Sequence, residues 1–502
     1  MTKLSVKLVH SFTQPARNIV STAKTCYSSS GVVLDEFAEF HKDESLIVDL
    51  LRAGHHTIFE HQYFQFAIEN VSRYSVWSLL HSHPFYNSHQ VSQRYNKVRP
   101  DYVFIPELPE SALVIYNETI KLQYQFYEEL HRLLIPEVKK IYSESSNQNS
   151  NNSEKISRKI DKKSCEIARY ILPIGTLTYL YHTINIVTLL RYYKKASSFS
   201  DSNEEKKLVN LMVEEVKEIE PKFEILINEI NSSIDNNCEN ISISKKYCHD
   251  FDMDLGNYTS KLIDYSNNAE TILADSVRMY YGFDEQQMDS TVAIDTILNP
   301  AKNKILSSDI VLTNNFLLSK SLNHIRYTFK KKLSHTADCQ NQRHRTIQSS
   351  SYELVNMDFS EPDFITPKLI KVNPIIEKRY IEMMNIIWDK INKLNSVGVK
   401  KKEQVYLLPN ALTIRLIESG NLLNYHHKYS MRLCFNAQEE IWQNSVDEVK
   451  QIFQVHPNIG KFLLPPCSIH FLANDKVSCH EGKRSCGNSV WEKNICDYER
   501  IL

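Results

Sequence analysis

Near the start of the chain Leu4, Val6 and Leu8 alternate with polar residues, a period of two that predicts a strand, and the run to Tyr27 then reads as a helix. The pattern recurs. Lys7 to Tyr27 lies against Lys261 to Tyr281 without a gap, with Lys7, Leu8 and Tyr27 matching Lys261, Leu262 and Tyr281. Farther on, Ala168 to Asn185 lies against Gln404 to Asn421, and Tyr170, Leu172, Pro173, Leu180 and Asn185 match Tyr406, Leu408, Pro409, Leu416 and Asn421. Two matches in the same order predict a tandem duplication. Long amphipathic runs such as Ile120 to Ile135 and Ile375 to Leu394 predict helices around a few strands, so the expected class is α+β, two tandem copies of one mixed domain.

The expected layout is a first copy over 1–250, a second over 256–465 and a Cys/His-rich extension over 466–502. A polar, low-complexity insert at 143–155 interrupts the first copy and reads as a solvated loop. Tyr170 to Leu190 carries no formal charge, over a length that suits a membrane span. Pro173, Gly175, His182, Asn185 and four threonines argue against lipid exposure, and the matching run in copy two holds Arg415 and Glu418, so a buried helix is predicted.

Charge and composition remove several classes. Lys plus Arg (59) balances Asp plus Glu (60), leaving no basic field for nucleic acid or an anionic membrane, despite short basic runs at Arg326 to Lys332 and Lys400 to Lys402. The N-terminus lacks the apolar core of a signal peptide, and ten cysteines are too sparse for a disulfide scaffold, so a cytoplasmic protein with reduced thiols is expected. Glycine is scarce, and neither G-x-G-x-x-G nor G-x-x-x-x-G-K-[ST] occurs, leaving Rossmann and P-loop nucleotide sites without support.

Residues that could carry chemistry fall into complementary sets. Copy one holds His55, Thr57, Glu60 and His61 before an alternating strand, then Gln90, Ser92, Arg94 and Tyr95, and later Ala168, Arg169, Leu172 and Pro173. Copy two holds Gln340, Arg343, His344 and Arg345, then Arg432, Ala437, Gln438, Glu440 and Ile441. Taken singly, Arg-His-Arg could be a solvated charged stretch, Ser-x-Arg-Tyr a helix end, and the histidines bonded core or loop residues. In order, the sets resemble the flavin-dependent thymidylate synthase family, in which His-x-Thr-x-x-Glu-His, Arg-His-Arg, Ser-x-Arg-Tyr, Ala-Arg-x-x-Leu-Pro and an arginine before Ala-Gln-x-Glu-Ile succeed one another. Each copy lacks what the other keeps: Ser82, His83 and Pro84 stand at the Arg-His-Arg position of copy one, Ala196 at that of Arg432, and Val405 at that of Arg169.

The resemblance implies reductive methylation of dUMP to dTMP, with 5,10-methylenetetrahydrofolate as carbon donor and NADPH as reductant through FAD. It implies a site assembled where subunits meet, hence one composite site per fused chain and a homodimer of fused chains. Phosphate and ring contacts would fall to Gln90, Ser92, Arg94, Arg169, Gln340 and Arg343, since guanidinium forks suit a phosphate dianion. Gln90 stands where the family has glutamate. FAD would be held by His55, Thr57, Arg343, His344, Arg345 and Asn421, read as a helix residue, and the uracil anion would be stabilised by Arg432. The family's arginine two residues after that asparagine is Leu423 here and Val187 in copy one. In the tail, Cys467, Cys479 and Cys486, with His470 and His480, could supply a zinc tetrahedron, yet they contain no C-x-x-C pair, and reduced structural cysteines are the other reading. Two rivals remain open: a degenerate nucleotide- or flavin-binding scaffold, and an RNA-binding protein.

Overall fold

A computed structural model describes the chain except residues 1–2, 39, 83, 95–97, 146–152, 199–201, 233–240, 309, 311–312, 314, 475–478, 480 and 501–502. It divides into two compact units, one of residues 1–125, 172–241 and 389–409, the other of 126–171, 242–388 and 410–502. The units are therefore not the sequence repeats: each contains a segment drawn from the other copy.

The first unit is built on an antiparallel sheet of β1 (Ser5–Ser11), β2 (Tyr63–Ser72), β3 (Asn87–Gln90) and β4 (Leu177–Asn185), in the order β1-β2-β4-β3. Phe64, Phe66 and Ile68 of β2 alternate inward with Leu180 and Ile184 of β4. They bury against helices Pro15–Thr25, Ile186–Ser198 and Asn203–Ile219. In the second unit β5 (Ser260–Tyr265), β6 (Arg326–Ser334), β7 (Gln348–Ser351) and β8 (Thr413–Asn421) pair in the corresponding order β5-β6-β8-β7. Tyr63 pairs with Asn185 and Ser72 with Leu177, as Arg326 pairs with Asn421 and Ser334 with Thr413. β2 holds one residue more, absorbed as a bulge at Asn70, whose φ of 59° is left-handed. The same ladder twice over is the structural form of the duplication read from sequence.

The borrowed segments sit at equivalent places. In the first unit Gly175 N donates to Tyr406 O at 2.8 Å and Ile174 N to Leu408 O at 2.8 Å, while the Tyr406 ring meets Tyr74 edge-on at 5.4 Å. In the second, Ala411 N donates to Tyr170 O at 2.9 Å and Asn410 Nδ2 to Arg169 O at 3.0 Å.

Three expectations change. Tyr170 to Leu190 is not one buried helix but a 3-10 turn (Arg169–Ile171), strand β4 and the start of helix Ile186–Ser198. Exposed Tyr179 and Tyr181 alternate with buried Leu180, His182 and Ile184, and this period of two wins over the absence of charge. The polar insert is helical at both described ends, in helices Glu110–Ser145 and Ser153–Ala168, while 146–152 lie outside the described residues. Asn421 is not inside a helix: it ends β8 and caps helix Leu422–Arg432, its Oδ1 accepting from Asn424 N at 2.9 Å. No helix among the described residues is long and apolar enough to cross a membrane.

Candidate active site

In the second unit the chemistry-bearing groups hang on the end of β6. Ser334 caps helix His335–Asn341, its Oγ accepting from Ala337 N at 3.1 Å. Its own N and Oγ donate to Glu440 Oε1 and Oε2, both at 2.6 Å. Tyr170, from copy one, donates to the same carboxylate at 2.6 Å and accepts from Gln438 Nε2 at 2.7 Å. Gln340 Nε2 donates to Gln438 Oε1 at 3.1 Å, and Arg432 Nη2 to the Gln340 carbonyl at 2.9 Å. One hydrogen-bonded chain thus runs from Tyr170 to Arg432. Arg169 is buried beside it in sequence, with Nε donating to Glu166 O at 3.1 Å. Burial pushes the Glu440 carboxyl above its ordinary value, and the bonds from Ser334 and Tyr170 oppose that rise.

Arg343, His344 and Arg345 form the turn between helix His335–Asn341 and β7. Arg343 is exposed and Arg345 half-buried. The His344 ring lies edge-on to His427 at 5.9 Å, and its Nε2 is buried with no hydrogen-bond partner among the described residues. Burial, then the cations of Arg432 and Lys428, hold His344 well below the usual imidazole range, so it is neutral at neutral pH.

Beneath this turn lies a group that sequence reading missed. Lys331, Glu418, Lys428 and Glu448 are buried and mutually paired: Lys331 contacts Glu418 and, at 2.6 Å, Glu448, while Lys428 reaches Glu418 at 2.6 Å and Glu448 at 3.1 Å. Burial opposes charge on Glu418, but the two ammonium groups outweigh it and hold its carboxyl well below the usual range. Asn341 Nδ2 donates to Glu418 Oε2 at 2.6 Å, which fixes the end of the helix from which the Arg-His-Arg turn departs. The signal was present in the alternation: Lys331 falls on the inward face with Tyr327, Phe329 and Leu333.

The first unit holds the rest of the expected set. His55 and Thr57 are exposed around the 3-10 turn His56–Ile58. Gln90 Nε2 donates to Thr178 Oγ1 at 3.2 Å, and Arg94 N to Ser92 Oγ at 3.2 Å; Tyr95 lies outside the described residues. The first unit repeats the anchor, Ser72 N donating to Glu204 Oε1 at 2.7 Å and Ser202 Oγ lying 3.0 Å from Tyr406 Oη, but not the site. By strand register Ser78 replaces Gln340 and Ala196 replaces Arg432, and Lys195 bonds Ser78 at 3.1 Å and Glu205 at 2.8 Å. Counting from β2 puts His81, Ser82 and His83 opposite Arg-His-Arg, whereas counting from β3 puts Ser82, His83 and Pro84 there; neither triplet contains a guanidinium. Arg169, Gln340, Arg343, His344, Arg345, Asn421 and Arg432 thus belong to one unit, and His55, Thr57, Gln90, Ser92 and Arg94 to the other. Cys467, Cys479 and Cys486 are half-buried thiols of the second unit.

The second unit's residues fit an anionic, planar cofactor: two guanidiniums flank a neutral imidazole with an unsatisfied buried nitrogen. Leu423, at the position of the family's further arginine, is buried and takes no part.

A repeated antiparallel sheet carrying a guanidinium-rich turn defines the class, and the comparison with known families agrees. The model of the thymidylate synthase complementing protein family matches residues 7–222 and again 261–458; the chain belongs to that family, as a tandem two-copy member, and is an enzyme of the methyltransferase class. It is similar to the flavin-dependent thymidylate synthase of Clostridium tetani, 31% identical over 227 residues, covering 44% of this chain and 85% of the relative. That of Saccharolobus solfataricus is 28% identical over 231 residues, covering 43% and 82%. Among solved structures, a UMP/dUMP methylase PolB from Streptomyces cacaoi aligns over 48% of this chain and 99% of its own at 17% identity, with a TM-score of 0.32.

Proposed function

We propose that the chain is a flavin-dependent thymidylate synthase with one working set of groups, divided between its copies. It would transfer the methylene carbon of 5,10-methylenetetrahydrofolate to C5 of dUMP and reduce it to a methyl group. FAD would relay the two electrons of the reduction from a nicotinamide cofactor. The observation that carries this reading is the hydrogen-bonded chain of the second unit, in which Tyr170, next to Arg169 of copy one, is tied to Gln340 and Arg432 of copy two.

Arg343 and Arg345 would bind phosphate oxygens, with neutral His344 offering a directional hydrogen bond rather than charge. Arg432 would hold the N3 and carbonyl edge of the uracil, stabilising the anion that makes C5 nucleophilic. Its bond to the Gln340 carbonyl ties the guanidinium to the helix from which the Arg-His-Arg turn departs. Ser92 and Arg94 would complete phosphate recognition from copy one, with Gln90 contributing a neutral contact and Arg169 a further cation. His55, Thr57 and Asn421 would support the cofactor. The replacement of Gln340 and Arg432 by Ser78 and Ala196 supports the loss of a second site.

The test is purification of the chain with its bound chromophore, followed by assay of dUMP conversion. Flavin absorption that Arg343→Ala removes, and turnover that Arg94→Ala and Arg432→Ala each abolish, are expected. A chain without flavin and without turnover favours the degenerate scaffold; full activity of Arg94→Ala excludes a divided site.

A further inference from the structure

The second unit gathers four cysteines that the active-site reading does not use. Cys434 lies in the link between helices Leu422–Arg432 and Glu439–Val455, Cys467 in the first turn of helix Pro466–Asn474, and Cys479 and Cys486 in the tail. Hydrogen bonds and rings bring these segments together. Asn436 Nδ2 donates to Arg484 O at 2.6 Å, which joins the Cys434 link to the turn before Cys486. Gly482 N donates to Cys479 O at 3.2 Å, folding Cys479 back on that same turn. The Phe435 ring meets Tyr498 at 5.9 Å, and Tyr498 lies beside Ser468, the neighbour of Cys467. The thiols are near enough to act on one another: Cys434, Cys486 and Cys479 each act electrostatically on Cys467.

The backbone is also arranged to receive sulfur charge. Asn488 N donates to Cys486 Sγ at 3.5 Å, and the backbone N–H of Asn436 lies near the Cys434 sulfur, in both cases two residues beyond the cysteine. Such N–H groups orient metal-bound thiolates and offset their charge. No disulfide links the four cysteines.

We propose that Cys434, Cys467, Cys479 and Cys486 together bind one zinc ion as an all-thiolate tetrahedron. Cys434 is the ligand that spacing in the tail alone did not supply, and it makes the donor count four. The site is empty in this structure and looser than a filled one: among the described residues only His131, Asp161 and Cys165 bring three donor atoms within 4.8 Å of one another. Zinc would draw the sulfurs to about 3.8 Å apart, the edge of a tetrahedron with Zn–S bonds of about 2.3 Å. Binding exchanges four S–H bonds for four Zn–S bonds and releases four protons. Because Cys434 stands two residues beyond Arg432 and four before Gln438, the ion would pin the link joining those groups.

The experiment is elemental analysis of the full chain purified without chelator, together with its cobalt-substituted form. One zinc per chain is expected in the natural protein and in Cys496→Ser, and none in Cys434→Ser or Cys467→Ser. Cobalt should give intense tetrahedral and thiolate charge-transfer absorption that Cys434→Ser abolishes. Should those variants fail to fold, mercurial titration of the natural chain should release one zinc as four thiols react. Substoichiometric zinc in the natural chain, metal that survives both serine substitutions, or metal lost only on His131→Ala would overturn the assignment. These readouts are independent of flavin and of turnover.

Discussion

Glu418→Gln converts a neutral buried quartet into one with an excess positive charge. Lys331, Lys428, Glu418 and Glu448 have side chains no more than 3% exposed, so no solvent compensates. Removing one partner of such a network costs about 3–5 kcal/mol. Since every ~1.4 kcal/mol is tenfold, opening at β6 and β8 should become about 100-fold or more frequent. Copy one supplies the control: by register its residues at these four positions are Ile68, His182, Tyr192 and Met212, which carry no charge there. A quadruple Lys331→Ile, Glu418→His, Lys428→Tyr, Glu448→Met exchange should therefore cost less than the single change, as replacement of a whole buried ionic group by packed residues is often neutral or stabilising. Hydrogen exchange followed by mass spectrometry reads β6 and β8 directly, with β2 and β4 as internal reference, and does not require a single unfolding transition. Unchanged protection of β6 and β8 in Glu418→Gln would refute the reasoning, as would a quadruple variant worse than the single one.

Arg432→Lys keeps a charge but loses the planar fork, so turnover should fall more than dUMP affinity; a phosphate-only role predicts the reverse, and kcat with dUMP binding measured on a flavin-replete variant decides. Gly175→Ala should destabilise the first unit by about 1–3 kcal/mol. An added Cβ would stand 2.6 Å from Tyr406 O, and equal thermal stability would count against that contact. Burial lowers His426 to about 4, below its ordinary 6.5, so between those pH values the unfolded chain binds a proton that the folded chain refuses. Stability should fall by about 3 kcal/mol as pH drops through that window, and His426→Phe should flatten the slope in urea titrations at successive pH values.

Much of this molecule was legible in the chain. The duplication rested on a few identities, and one of them, Tyr170 with Tyr406, proves to supply the hydroxyls that dock in the two units. The complementary loss of arginines was likewise visible, because guanidinium chemistry tolerates few substitutes. What stayed hidden depended on long-range pairing. An uncharged stretch disguised β4, since a strand buried on one face can lack charge as readily as a core helix. Gln438 and Glu440 were visible as motif residues, but not as links to Tyr170, because that role exists only once a distant turn is seated. Lys331 and Glu418 belonged to no motif; their meaning comes from the register of β6 against β8.

The exchange of segments between copies also constrains synthesis. As translation proceeds, the first unit has all of its sheet once residue 185 has emerged, yet the stretch 389–409 that completes it comes much later. Until then the partners of Gly175 N and Ile174 N do not exist, and the ring that meets Tyr74 has not been made. The early copy must wait on the ribosome with an open seat. A separated first copy would lack those residues permanently, so the fusion, once its halves had traded parts, became hard to undo by gene splitting.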